Sequence, residues 1–167
     1  GGGIAMCFAN AGIPVTVIDM ERDALSRGLE KVRSNYQVSV KRGSMAEADV
    51  ETRMALITGS TEMKDAGAAD IVIEAVFEDI ELKKTIFAEL DGIMGDGAIL
   101  ATNTSALDID AIAAATKRPE AVIGTHFFSP ANVMRLLENV RASKTGVETV
   151  ATVMKLGRTL GKQPVLA

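Results

Sequence analysis

Apolar residues along the chain switch repeatedly between helical spacing and short continuous runs, and these switches outline an alternation of helices and strands. Ile4, Cys7, Phe8 and Ala11 fall on one helical face, and Ile13-Pro14 breaks that pattern. The β-branched run Val15, Thr16, Val17, Ile18 follows and ends at Asp19, which predicts a short buried strand. Leu25, Leu29, Val32 and Tyr36 give residues 23–42 the period of a long helix, and residues 46–56 read as a shorter one. A very short strand is expected at 57–59 and a buried one at 70–74 (Asp70, Ile71, Val72, Ile73, Glu74). Leu82, Ile86, Phe87 and Leu90 mark a helix face, 98–102 the next strand, 109–115 a helix, 121–125 and 135–140 two strands. Residues 147–160 form a last helix, closed by Gly161. The strands are continuous apolar runs, as expected for a mostly parallel sheet covered on both faces. The fold class is therefore α/β, doubly wound, with one domain over residues 1–167 and no internal repeat, low-complexity segment or linker.

The chain opens on Gly1, Gly2 and Gly3 and runs directly into a helical pattern. In α/β proteins a helix that begins on glycines usually follows a strand and a tight phosphate-binding turn. The expectation is a sheet lacking its first strand and a domain incomplete at its N-terminus. The absent strand would lie in the middle of the sheet, between the strand ending at Asp19 and the one ending at Glu74.

Composition narrows the function. With 47% hydrophobic and 24% charged residues among 167, the chain is of ordinary globular type. Eighteen basic residues against 22 acidic ones give a net charge of -4, with no basic block, so no nucleic-acid partner is expected. Five Phe, one Tyr and no Trp make a poor base-stacking platform. No apolar stretch approaches the roughly 18 residues of a spanning helix. No signal peptide is recognisable, so no membrane partner and a cytoplasmic setting are the default expectations. One Cys (Cys7) and one His (His126) leave no internal disulfide and no cysteine-based or multi-histidine metal site, so the expected metal is none.

In an open parallel sheet, ligands bind beyond the carboxyl ends of the strands. Asp19 stands there, about 20 positions beyond the glycines, where a dinucleotide-binding unit places the carboxylate that bonds the adenosine ribose. An anion at that point favours NAD over NADP; the alternative for Asp19 is a helix cap. Thr102, Asn103, Thr104 and Ser105 follow another strand and suit either a binding role or a turn. Glu78, Glu81, Lys83 and Lys84 read from charge alone as a solvated helix start with i,i+4 ion pairs. Thr125-His126-Phe127-Phe128-Ser129-Pro130 puts the single His at a strand end among aromatics, a position suited to a general base or to a satisfied core residue. Glu138, twelve residues on, could return alongside and orient the imidazole.

Together, Val72-Ile73-Glu74-Ala75-Val76-Phe77-Glu78-Asp79, Thr102-Asn103-Thr104-Ser105 and His126-Phe127-Phe128-Ser129-Pro130, followed by Val133-Met134 and Glu138, resemble the NAD-binding domain of 3-hydroxyacyl-CoA dehydrogenases. The likeness runs over the whole chain. Ser129-Pro130 is most like the dehydrogenase segment of multifunctional fatty-acid oxidation proteins, where single-function enzymes commonly carry Asn in place of the Ser. The resemblance implies a Rossmann-like fold, NAD as cofactor, and oxidation of 3-hydroxyacyl-CoA to 3-oxoacyl-CoA in fatty-acid β-oxidation. It makes His126 the general base, Glu138 its partner, and Ser105 the serine near the substrate oxygen and nicotinamide. It matches Gly1 to the third glycine of the fingerprint, Asp19 to the ribose acid, and Glu78 and Lys83 to cofactor-contacting positions. Val76 and Phe77 would pass the cofactor with their backbone, and Asn103 and Ser129 complete the cofactor set. It also implies a following helical domain with most of a dimer interface, so the expected partners are an acyl-CoA substrate and a second copy or a larger multifunctional complex. Lys41, Arg42 and Arg53 are candidate CoA phosphate contacts.

Two other readings compete. A related β-hydroxyacid dehydrogenase would use a catalytic Lys from outside this region and leave the His-Glu pair unexplained. A nucleotide-binding module without catalysis would not need that pair.

Overall fold

The β-branched run forms strand β1 (Val15–Ile18), paired in parallel with β2 (Ile57–Ser60) so that Val15 faces Ile57 and Ile18 faces Ser60. The computed structural model describes all of residues 1–167, and the chain divides into two units. The first comprises Gly1–Asp65 with Ser129–Val133, the second Ala66–Phe128 with Met134–Ala167.

In the first unit, helices α1 (Gly2–Asn10), α2 (Arg22–Lys41) and α3 (Glu47–Met54) accompany β1 and β2. Met6, Ala9, Val32, Tyr36, Val50 and Ile57 form its core, with Val15, Val17 and Leu29 packed against them. A Cβ on Gly2 would lie 3.1 Å from Val32 Cγ2, so its glycine lets α1 approach α2 closely. Tyr36 is 1% exposed and its hydroxyl donates to Asn10 Oδ1 at 2.8 Å, which satisfies the one polar atom that its burial would strand.

The second unit is built on a five-stranded sheet in the order β3 (Ile71–Glu74), β4 (Ile99–Thr102), β5 (Val122–Phe127), β6 (Leu136–Arg141), β7 (Gln163–Leu166). β3, β4 and β5 are parallel, β6 runs antiparallel to β5, and β7 is parallel to β6. Helices α4 (Ile80–Ile93), α5 (Ile109–Ala113) and α6 (Val147–Thr159) belong to this unit. Leu100, Ala101, Val122 and Ile123 are fully buried, as continuous apolar runs require.

The structure differs from the sequence reading mainly at its margins. The strand expected at 121–125 extends to Phe127 and therefore includes His126. β7 was not expected, nor was the 3₁₀ turn Met63–Ala68. β1 pairs only with β2, and β3 only with β4, so each ends its sheet with one unpaired edge. No helix is long and apolar enough to cross a membrane.

Candidate functional site

Strand pairing makes the central contact of the second unit. In the antiparallel β5–β6 register His126 lies directly opposite Glu138, and residues facing each other on such strands project to the same side. His126 Nδ1 is 3.3 Å from Glu138 Oε1, with the two side chains 21% and 36% exposed. The Phe128 ring tilts over the imidazole at 4.4 Å between centroids. With Nδ1–H donating to the carboxylate, the Nε2 lone pair is left for a proton from outside the chain. Asn103 supports this strand end, since its Oδ1 accepts the Phe127 N–H at 2.8 Å and its own N–H donates to the Glu74 carbonyl at 2.8 Å.

The ends of β3 and β4 meet at Glu74. Its side chain is 1% exposed, and both carboxylate oxygens are engaged. Oε1 accepts from Lys83 Nζ at 2.7 Å and from the Val76 N–H at 2.7 Å, and Oε2 accepts the Thr102 hydroxyl at 2.8 Å. Lys83 Nζ also reaches the Val76 carbonyl at 3.3 Å. The solvated reading of Lys83 is thus corrected. Its side chain is buried with an opposite charge, because a helix beginning after Asp79 turns its fourth residue back toward the strand end. Lys84 stays outside and pairs with Glu81 in the i,i+3 relation. Sequence reasoning placed Glu74 and Thr102 at strand ends but did not join them to Lys83; the signal was a carboxylate closing an apolar run with a Lys nine positions on.

Beyond this cluster Val76 and Phe77 are 41% and 86% exposed, and the Phe77 N–H has no acceptor in the chain. Glu78 is exposed and accepts the Thr104 hydroxyl. Thr104 Oγ1 also accepts the N–H groups of Ala106 and Leu107, a turn of the type expected at that position. Ser105 is exposed, with no hydrogen bond to the chain.

The remaining predicted positions lie on the first unit. Gly1 occupies the N-cap position of α1 and no side chain caps that end, leaving first-turn amides without side-chain partners. Asp19 is partly buried directly after β1. Its Oδ1 accepts the Glu21 N–H at 2.9 Å, so it makes a local turn, while Glu21 takes the cap position of α2. Ser129 is exposed and precedes Pro130 through a cis peptide bond. Of the suggested phosphate contacts, Arg53 is spread over the Tyr36 ring at 5.8 Å, whereas Lys41 and Arg42 are exposed at the end of α2. A cleft of about 610 Å³ in the second unit is lined by Asp91, Lys117, Arg118, Glu120, Glu148 and others, and holds none of the predicted residues. Its mixture of opposed charges, several already paired, gives no convergent chemistry, so the strand ends are the better candidate.

Residues 1–167 match the 3-hydroxyacyl-CoA dehydrogenase NAD-binding domain throughout. The chain belongs to that family. Its cofactor is accordingly NAD. Peroxisomal bifunctional enzyme of Cavia porcellus is 42% identical over 166 residues, covering 99% of this chain and 23% of the relative. Fatty acid oxidation complex subunit alpha of Shewanella amazonensis is 42% identical over 167 residues, 99% of this chain and 24% of that protein. The crystal structure of (S)-3-hydroxybutyryl-CoA dehydrogenase PaaH1 from Ralstonia eutropha superposes with a TM-score of 0.97 at 40% identity, over 99% of this chain and 59% of that one. The fold is therefore of the Rossmann type shared by these dehydrogenase domains, while the chain spans less than a quarter of the curated relatives it matches. The residues present suit the cofactor. Asp19 keeps one carboxylate oxygen clear of hydrogen bonds, and Phe77 offers a free N–H beside apolar side chains.

Proposed function

We propose that this NAD-binding domain serves the oxidation of 3-hydroxyacyl-CoA to 3-oxoacyl-CoA in fatty-acid β-oxidation, within a longer, multifunctional protein. The observation that carries the reading is the facing of His126 and Glu138 across β5 and β6, with 3.3 Å between ring nitrogen and carboxylate. Bound NAD supplies the acceptor for the hydride that leaves C3. His126 takes the proton of the C3 hydroxyl at Nε2, and Glu138 stabilises the imidazolium through Nδ1. Ser105, exposed just beyond β4 with its hydroxyl uncommitted, hydrogen-bonds the reacting oxygen. Asp19 accepts from the adenosine ribose hydroxyls, and Asn103, Glu78 and Ser129 belong to the cofactor's surroundings. The carboxylate beside the base speaks against a purely nucleotide-binding module, which has no proton to move.

The test is steady-state formation of NADH from a 3-hydroxyacyl-CoA by the full-length protein. His126→Gln should lower kcat by about 10²–10⁴, the usual contribution of general-base assistance, and leave the Kd for NAD nearly unchanged. Glu138→Gln should reduce kcat by less. Near-normal turnover by His126→Gln would place the base elsewhere.

A further inference from the structure

The face of the β5–β6 ladder turned away from His126 and Glu138 carries a second facing pair. Thr125 lies directly opposite Asn139, one step along the ladder, so both side chains project to the side opposite the imidazole and its carboxylate. α6 covers that side, where Asn139 Nδ2 donates to Met154 Sδ at 3.2 Å. Thr125 is 3% exposed and Asn139 is fully buried, and their neighbours Ile123, Phe127 and Leu137 on this face are buried and apolar. Thr125 Oγ1 and Asn139 Oδ1 are the only buried side-chain polar atoms of the chain that bond to no other group of it. A hydroxyl that can donate thus faces a carboxamide oxygen that can only accept. Two such atoms in an apolar layer are costly unless they serve each other.

Register is what such a pair specifies. A two-residue slip of one antiparallel strand along another keeps every side chain on its own face, so burial of one face does not by itself forbid it. A slip of β5 on β6 by two would set Asn139 against Ile123 or Phe127, with its oxygen among apolar atoms, and would part His126 from Glu138. We propose that Thr125 and Asn139 form a register lock, in which the Thr125 hydroxyl donates to Asn139 Oδ1, directly or through one buried water, and so keeps Glu138 opposite His126. Both are positioning residues, which act through the two strands and touch neither cofactor nor substrate. Their effect on catalysis rests on the function proposed above, whereas the hydrogen-bonded pair itself does not.

The test uses the full-length protein. A high-resolution crystal structure should show the Thr125 hydroxyl within hydrogen-bond distance of Asn139 Oδ1, or both groups on one ordered water, which tells the direct bond from the bridged one. Two groups apart with no shared partner would overturn the lock. Kinetics then test its purpose. Thr125→Val should lower kcat about three- to tenfold, the reach of one neutral hydrogen bond, with the KM for NAD within about twofold, while Thr125→Ser keeps the hydroxyl and should keep kcat. The double variant Thr125→Val/Asn139→Val leaves no orphaned polar atom, so it should fold at least as stably as Thr125→Val yet turn over no faster. Adding Glu138→Gln to the double variant should cost less than it does alone, because both changes undo the same facing. Recovery of kcat together with stability in the double variant, an unaltered kcat in Thr125→Val, or full additivity with Glu138→Gln would each overturn the positioning role. Failure of Glu138→Gln to lower kcat in the otherwise unaltered protein would overturn the function proposed above and the positioning role with it, and the hydrogen-bonded pair would then stand or fall on the crystal structure.

Discussion

Two carboxylates stand at strand ends, Asp19 after β1 and Glu74 at the end of β3, and their surroundings give them opposite work. Glu74 is sealed by three donors and has nothing left to offer a ligand. Asp19 is partly exposed and makes one local hydrogen bond, which leaves its second oxygen unengaged, and in the proposed function that oxygen meets a vicinal diol while the charge repels a 2′-phosphate. In the full-length protein Asp19→Ala should therefore weaken NAD by about ten- to a hundredfold, the range of a lost hydrogen bond to a charged group, and narrow the preference over NADP. Calorimetric titration with both nucleotides checks this, and an unchanged NAD affinity would remove Asp19 from the site. The place of Asp19 directly after a strand was legible in the sequence because it depends on local order: glycines, helix, strand, acid. The burial of Lys83 was not, because Glu78, Glu81, Lys83 and Lys84 form a string whose charges look equally solvated until the helix start is set against the end of β3.

At the level of elements, α4 is stapled at its far end. Asp79 caps its N-terminus by accepting the Leu82 N–H at 3.0 Å. Its C-terminus is closed by a side chain from a later segment. The Arg118 guanidinium donates to the carbonyls of Asp91, Met94 and Gly95 and, at 2.7 Å, to the Asp91 carboxylate. A cation there satisfies carbonyls the helix cannot and complements its dipole. Burial of Asp91 opposes its charged form, yet hydrogen bonds from the Lys117 N–H and Arg118 together hold its carboxyl below the ordinary range. The charged form is thus favoured by folding, so this contribution is present above the ordinary carboxylate range and is lost as pH falls through the lowered folded value. Arg118→Met should destabilise the protein by about 2 kcal/mol, less than the roughly 3–5 kcal/mol for breaking a fully buried pair, and flatten the acid side of the stability profile. Denaturant unfolding at several pH values measures both, and an unaltered acid slope would contradict the assignment. Most elements around the site could be read from the apolar pattern alone, because Ile71–Glu74, Ile99–Thr102 and Val122–Phe127 are short, mainly apolar runs, the first half-buried and the other two buried except at His126. β7 could not. It carries a proline and only two large apolar residues, both more than 40% exposed, and its strand character comes from pairing with β6 and from Gly157, where a Cβ would lie 2.9 Å from Pro164.

Across the whole molecule, the strands that end the two sheets, β1, β2, β3 and β7, each leave one edge unpaired. Parallel edge strands without a neighbour present rows of N–H and carbonyl groups that another chain can satisfy. Residues 1–167 produced alone should therefore self-associate through these edges. Light scattering with size-exclusion chromatography reads this, and a monodisperse 17.6 kDa species from residues 1–167 would refute the expectation. The sparse aromatic content, finally, makes the two units separately audible. The chain holds no Trp and one Tyr, and Tyr36 lies in the core of the first unit, hydrogen-bonded to Asn10. The one imidazole, that of His126, lies in the second. Intrinsic tyrosine emission therefore follows one unit and the imidazole proton resonances the other. Monitored together during unfolding, these two built-in signals tell whether the halves melt in unison or in turn, without a label or a single substitution.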